Sequence, residues 1–238
     1  MTAWSFGGGV QSVAIAALVK LGRLPMPDLI VISDTGREVE STWATCDLMR
    51  SRGFKIEVAT HDLATVDLYS GNGDLLIPAY TTRDGAGMLP GFCSNEWKQR
   101  VVRRWLRARG VESCKLWLGI SVDEAHRMKP SGVDWLEHVY PLIDEMVTRA
   151  ECMRLISSVG WESPGKSRCW MCPYQSQGEW RSLSSGDLAK AEALDEAIRL
   201  KDPSVYIHRA KMPLGEAMKL ENQQTSMFDV CDSGQCWT

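Results

Sequence analysis

The chain has 238 residues, 44% apolar and 24% charged, with a formal net charge of −3. That is room for one large α/β domain, or a domain with a small appendage, and enough apolar content to bury a core. The charge gives no overall pull toward nucleic acid, although Arg100, Arg103, Arg104, Arg107 and Arg109 form a local basic patch. There is no basic start followed by an apolar core and no membrane-spanning run, so a cytoplasmic protein with no membrane partner is expected.

Thr2 to Phe6 reads as a buried first strand, followed by three glycines and a helix from Gln11 to Leu21. Leu29 to Ser33 is a β-branched run ending in the turn signal Asp34-Thr35-Gly36. Val39 to Arg52 is helical in pattern, and Lys55 to Thr60 alternates like a strand. Strand and helix in alternation predict a parallel sheet with helical crossovers. His61 to Pro90 is irregular, which in compact domains points to function or mobility. Asn95 to Arg109 is a basic helix candidate stopped by Gly110, and Lys115 to Ser121 and His138 to Ile143 are further strand candidates. Thr148 and Glu151 make a capping box for a helix ending at Gly160. An amphipathic helix, Leu188 to Leu200, and a short one, Gly215 to Leu220, precede a tail ending VCDSGQCWT. There is no internal repeat, heptad seam or low-complexity segment. The expected division is 1–175 as a nucleotide-binding α/β domain and 176–238 as a dependent helical extension with a cysteine tail.

SFGGGVQS, residues 5 to 12, is the first candidate site. A glycine-rich turn from a strand into a helix exposes unpaired N–H groups at a positive dipole end, where phosphate binds. A GxGxxG pattern fails because Ser12 holds its third glycine position, and GxxxxGK[ST] fails because no lysine follows. A tight packing turn is the alternative reading.

Ending at Ser12, the stretch resembles the SGGxDS loop of the ATP pyrophosphatase (PP-loop) family: Gly8 and Gly9 match, Gly7 replaces the first serine and Gln11 the aspartate. Asp34-Thr35-Gly36 resembles the DTG of the phosphoadenosine-phosphosulfate (PAPS) reductase branch. Gly119-Ile120, Asp123-Glu124 and Arg127, in GISVDEAHR, resemble that branch's fourth-strand motif, and Tyr140 to Asp144 its YPLxxW-type segment, with Asp144-Glu145 where an aromatic often sits. The chain is thus similar to the PAPS reductase-like branch of the adenine nucleotide alpha hydrolase superfamily, and within it to uncharacterised phage and bacterial members with an iron–sulfur cluster. The resemblance implies a Rossmann-like parallel twisted sheet with helices on both faces. It implies ATP (or PAPS or APS) with Mg²⁺, held by Ser5, Phe6, Gly7, Gly8, Gly9, Gln11 and Ser12, by Asp34, Thr35 and Gly36, and by Gly119, Ile120, Asp123, Glu124 and Arg127. A turn initiator is the alternative reading of Asp34, and Asp123, Glu124 and Arg127 read equally as a solvated, internally paired helix start.

Cys169-Trp170-Met171-Cys172 is a CxxC, a spacing that lets two thiolates share one metal or cluster. The family's cluster-bearing reductases carry an upstream cysteine pair; here Cys93 stands alone before Ser94. The implied [4Fe-4S] ligands are Cys93, Cys169 and Cys172, with Cys152 as the substitute fourth. A three-cysteine cluster with an open iron is one alternative, zinc another, and Cys152 reads also as a buried inert thiol. Cys46 and Cys114 are expected in the core. Cys231 and Cys236 lie where PAPS reductases carry a catalytic tail cysteine, which makes them candidate sulfur carriers; a disordered tail or a metal clip is the alternative. Lys98 and Lys166 are candidates to face both cluster and nucleotide, with Arg168 and Arg209 as further phosphate partners.

The implied function is sulfur transfer: ATP adenylates an acceptor oxygen, on a nucleobase or nucleic acid, and sulfur replaces it. The alternatives are a PAPS/APS reductase forming sulfite and a non-catalytic nucleotide-binding partner protein. Implied partners are the nucleotide, a nucleic-acid acceptor and a sulfur-donor protein or thiol reductant; a homodimer stays open.

Overall fold

The computed structural model describes residues 1–60, 67–83 and 87–220. In chain order the elements are β1 (Thr2–Ser5), α1 (Val10–Lys20), β2 (Leu29–Asp34), α2 (Glu40–Ser51), β3 (Ile56–Thr60), β4 (Ala79–Thr81) and β5 (Met88–Leu89). A single π-turn, Asn95–Gln99, then leads into α3 (Arg100–Ala108) and β6 (Cys114–Trp117). A 3₁₀ segment, Val122–Arg127, precedes β7 (Leu136–Val139), α4 (Pro141–Asp144) and α5 (Arg149–Ser158). The chain continues with α6 (Gln177–Arg181), α7 (Ser185–Lys201), β8 (Val205–Tyr206) and α8 (Leu214–Ala217). The described residues form two compact units, 1–60 with 97–167 and 67–96 with 168–220. A boundary at 175 therefore falls inside the second unit. Among the described residues no helix is long and apolar enough to cross a membrane.

The first unit is an α/β fold on a five-stranded, all-parallel sheet of Rossmann-like form, ordered β3-β2-β1-β6-β7. Its strands are short apolar runs because such a sheet is covered on both faces. α1 is buried along nearly its whole length, from Val10 to Leu18, which suits a helix apolar all round. It packs against α5. Trp4, Phe6, Ile15, Leu18, Met49 and Ile156 belong to one core cluster. Within it Trp4 meets Phe6 edge-on at 5.3 Å and Phe54 at 6.1 Å, the geometry favoured by ring quadrupoles. Cys46 and Cys114 are buried, as expected.

Two expected elements are redrawn. The strand over 138–143 ends at Val139, and Pro141 instead opens α4 at its first helical position, where a fixed φ and a missing N–H cost nothing. The helix over 95–109 is a π-turn followed by α3, and Gly110 leaves it at φ +73°.

The second unit holds a small antiparallel sheet ordered β5-β4-β8 beside α6, α7 and α8. α6 carries a full capping box, Ser176 with Glu179. Asp195 on α7 is wholly buried and accepts from Arg199 Nε (3.0 Å), the Ile207 N–H (3.1 Å) and the Leu214 N–H (3.0 Å). It thereby ties α7 to β8 and to the start of α8.

His208 is also buried. Its Nδ1 accepts the Ala210 N–H (3.1 Å), so the proton sits on Nε2, which donates to Gln177 Oε1 at 2.8 Å. Burial pushes its pKa down to about 4; Arg209 acts in the same direction and Asp195 opposes it. The unfolded chain takes up this proton below about pH 6.5 and the folded chain only below about 4, so stability is lost as the pH falls through that window. The expected loss is about 3 kcal/mol. Urea midpoints of the native chain and of His208→Gln, compared at pH 7 and pH 4, check it: the native chain should lose the larger share.

Candidate functional site

The strand order reverses between β1 and β6, because β1 leads to β2 on one side while β6 lies on the other. Ligands of open parallel sheets bind outside the carboxyl ends of strands at such a switch point. The loop leaving β1 there is Phe6 to Gly9. Gly8 stands at φ +73°, and a Cβ on it would lie 2.8 Å from Thr42 Cγ2. The glycine is thus required twice, by conformation and by the close approach of α2. Ser12 Oγ turns back to accept the Gly7 N–H at 2.9 Å. Ser167 donates its hydroxyl to the Gly7 carbonyl and receives Thr42 Oγ1 at 3.5 Å. The loop is therefore pinned from three segments, and Lys166 is the residue next to the pin.

α1 starts at this loop with no side-chain cap and no acidic residue in its first turn, so no side chain of its own first turn neutralises its leading N–H groups. Gly119, in the loop after β6, touches the same turn: a Cβ there would lie 3.3 Å from Gln11 Cβ and 3.5 Å from the Ser12 nitrogen. Gln11 Nε2 reaches Glu124 Oε2 at 3.4 Å, and Glu124 pairs with Arg127 at 2.8 Å. Glu124 and Arg127 are both buried. The structure thus gathers Gly7, Gly8, Gly9, Gln11, Ser12, Gly119, Glu124 and Arg127 at one end of the sheet.

Replacing Gly8 with valine should abolish the turn's conformation and drive a side chain into Thr42. A loss of about 1–3 kcal/mol of stability is expected in a urea titration.

Other expected site residues take structural work. Ser5 is buried and pairs with Val31 in the sheet, and the Phe6 ring is packed in the core against Trp4. Asp123 accepts the Arg149 N–H with both oxygens (3.2 and 2.9 Å) and the Ser121 hydroxyl at 2.9 Å. It is an anchor for the start of α5. Ile120 is buried. Asp34 initiates a turn, accepting the Gly36 N–H at 2.7 Å. Thr35 is buried, and its hydroxyl and N–H both go to Glu38 Oε2, at 2.7 and 3.1 Å. Gly36, at φ +68° with open space at its Cβ position, serves that turn through its backbone conformation. Lys98 lies 4.0 Å from Glu38, and Arg37 stacks on Trp97 at 4.5 Å. Lys98 thus belongs to a cluster at the carboxyl end of β2.

In the second unit Cys169 and Cys172 are half-buried on one turn, closed by the Cys172 N–H to the Cys169 carbonyl at 3.1 Å. The turn is held from beneath. Trp170 and Met171 are buried, and buried Gln175 donates to the Trp170 and Cys172 carbonyls at 3.0 and 3.2 Å. Arg168 clamps Gln175 at 2.9 Å and reaches Ser182 Oγ at 2.8 Å. Cys93, half-buried in the same unit, has its N–H on the Leu76 carbonyl at 2.8 Å. Arg209, beside His208, also lies in this unit. Cys231 and Cys236 fall outside the described residues.

A cluster or a zinc ion would need three or four thiols converging on one point. Among the described residues no group of three or more His, Cys, Asp or Glu side chains does so. Cys152 lies in the first unit's core cluster, wholly buried, and burial pushes its thiol up to about 12. A thiol buried in that way packs as a small apolar side chain. Among the described residues Cys93, Cys152, Cys169 and Cys172 are not brought together as such a group. Cys152→Ala should leave the iron and zinc content of anaerobically purified protein unchanged and cost about 1–2 kcal/mol of stability; metal analysis and a urea titration check both.

No protein-family model and no curated protein matches the chain. Among solved structures, it is similar to the U34-tRNA thiolase NcsA from Methanococcus maripaludis with its [4Fe-4S] cluster. The identity is 14% and the TM-score 0.44, over 98% of this chain and 80% of that one.

Sequence reasoning passed over Thr42, Glu38, Ser167 and Gln175. Thr42 and Ser167 act through hydrogen bonds and one methyl contact with residues far away in the chain, which leaves no local pattern, while Gln175 bonds to residues three to seven positions before it. Glu38 is local too: it stands three residues after Thr35, the spacing of its own bond.

Proposed function

We propose that this chain is a nucleotide-dependent sulfur-transfer enzyme. ATP binds with its phosphates on the glycine loop, an acceptor oxygen attacks the α-phosphorus, and pyrophosphate leaves. A sulfur nucleophile then displaces AMP, which departs with the acceptor's oxygen. The observation that carries the reading is the pinned Gly7–Gly9 loop at the β1/β6 switch point, opening into the uncapped N-terminus of α1. Charge on the departing pyrophosphate would be met by backbone N–H groups and by Lys166, one residue from the loop's Ser167 pin. The role of Lys98 would be indirect, through the Glu38 cluster. For the sulfur half, Cys169 and Cys172 are the favoured groups: the half-exposed turn that presents them is rigidly supported.

The test is to supply anaerobically purified protein with ATP, or with PAPS and a thiol reductant, together with nucleic acid and a sulfide source. Pyrophosphate and AMP formation supports the reading. Sulfite from PAPS without ATP turnover would replace it with the reductase.

A further inference from the structure

We propose that Cys169 and Cys172 are a redox-active dithiol, closing to a disulfide within their own turn and thereby switching off the sulfur half of the proposed function. The switch rests on that reading; the disulfide itself does not. The two cysteines hold the first and last positions of a four-residue turn, closed by the Cys172 N–H on the Cys169 carbonyl at 3.1 Å. Such a turn keeps its end Cα atoms within about 7 Å, and a disulfide spans Cα separations of about 4.4–6.8 Å. Closing the bond therefore asks for side-chain rotation with little movement of the backbone.

The turn is also held in that shape. Trp170 and Met171, between the cysteines, are buried. Gln175, buried beneath, donates to the Trp170 and Cys172 carbonyls at 3.0 and 3.2 Å. A segment fixed in this way gives up little further freedom when it becomes a ring. Access sets the pair apart from the core thiols. Cys46, Cys114 and Cys152 are buried, and burial raises each of their thiols above the ordinary value. The thiolate is the attacking species, so those three are shielded twice. Cys169 and Cys172 are only half-buried. Cys93 is half-buried as well but shares no turn with them.

The chemistry is exchange with a low-molecular-weight disulfide. One thiolate of the pair attacks a sulfur of the oxidant and expels half of it as a thiol, leaving a mixed disulfide. The second cysteine loses its proton, attacks the sulfur of the first and expels the other half. The pair gives up two electrons and two protons, and the oxidant becomes two thiols. A dithiol reductant reverses the exchange. In the closed form the turn has no thiol on which sulfur can be carried.

The experiment equilibrates the native chain, purified anaerobically, with glutathione and glutathione disulfide in varied ratio. It is then alkylated and digested with trypsin, which releases both cysteines on one peptide, Cys169 to Arg181. That peptide should pass from doubly alkylated to unalkylated, lighter than its dithiol form by two hydrogens, and dithiothreitol should restore it. Cys172→Ser should stop at the mixed disulfide, with one glutathione on Cys169. Sulfur transfer, assayed on the same samples, should fall by roughly tenfold or more on closure. Two alkylated thiols at every ratio, a disulfide to Cys93, Cys231 or Cys236 in place of the turn's own, or stoichiometric iron or zinc that shields both thiols overturns the proposal. Equal sulfur transfer in the two forms removes the switch. Absence of ATP turnover in both forms counts against the glycine loop and leaves the peptide measurement to decide the disulfide.

Discussion

Asp195→Ala should cost about 3–6 kcal/mol, enough to unfold most of a marginally stable protein. Asp195 is wholly buried, and three donors converge on its carboxylate: two backbone N–H groups, of Ile207 and Leu214, and Arg199 Nε. Alanine leaves both N–H groups in apolar surroundings with no acceptor, at about 1–3 kcal/mol each. It also leaves the guanidinium without its buried partner. Asparagine is only a partial rescue, because one of its two head atoms is itself a donor and would face another donor; about half the loss should remain. Urea unfolding of the two variants against the native chain decides. A loss below 1 kcal/mol for the alanine variant would mean that water or relaxation satisfies these groups.

Arg127→Leu should destabilise by about 3–5 kcal/mol, by a different route. The substitution removes the partner of a buried carboxylate and leaves Glu124 with only the 3.4 Å contact from Gln11. Because the penalty is that of an uncompensated charge, the double variant E124L/R127L should recover most of it. The same pair bears on function. Glu124 holds Gln11 in the first turn of α1, so the single variant should also weaken nucleotide binding, read in a titration on the fraction that stays folded. A purely structural pair would leave that affinity unmoved.

The alternation of strand and helix through residue 60 was legible because each element there is a continuous apolar or periodic run with a glycine or aspartate at its end. The glycine loop was legible for the same reason, since three glycines between a strand and a helix have few structural uses. What failed locally is instructive. Residues 138–143 are apolar enough for a strand, yet Pro141 sits at the first position of a helix, a place where proline is favoured. β4, β5 and β8 are two or three residues long, and strands that short exist only through partners distant in the chain. Asp195 looked like any solvated charge on an amphipathic helix, because burial is decided by what packs over a residue. Asp123 and Cys152 carry the same lesson: their chemistry suggested ligands, while the fold spends one on a helix start and the other in the core.

Calorimetric titration of the native chain with ATP, beside Gly8→Val, tests the central claim most directly. The account predicts one saturable site in the native chain and at least a tenfold loss in the folded variant. Equal affinity in both proteins, or no binding of ATP, PAPS or APS by the native chain, would contradict it.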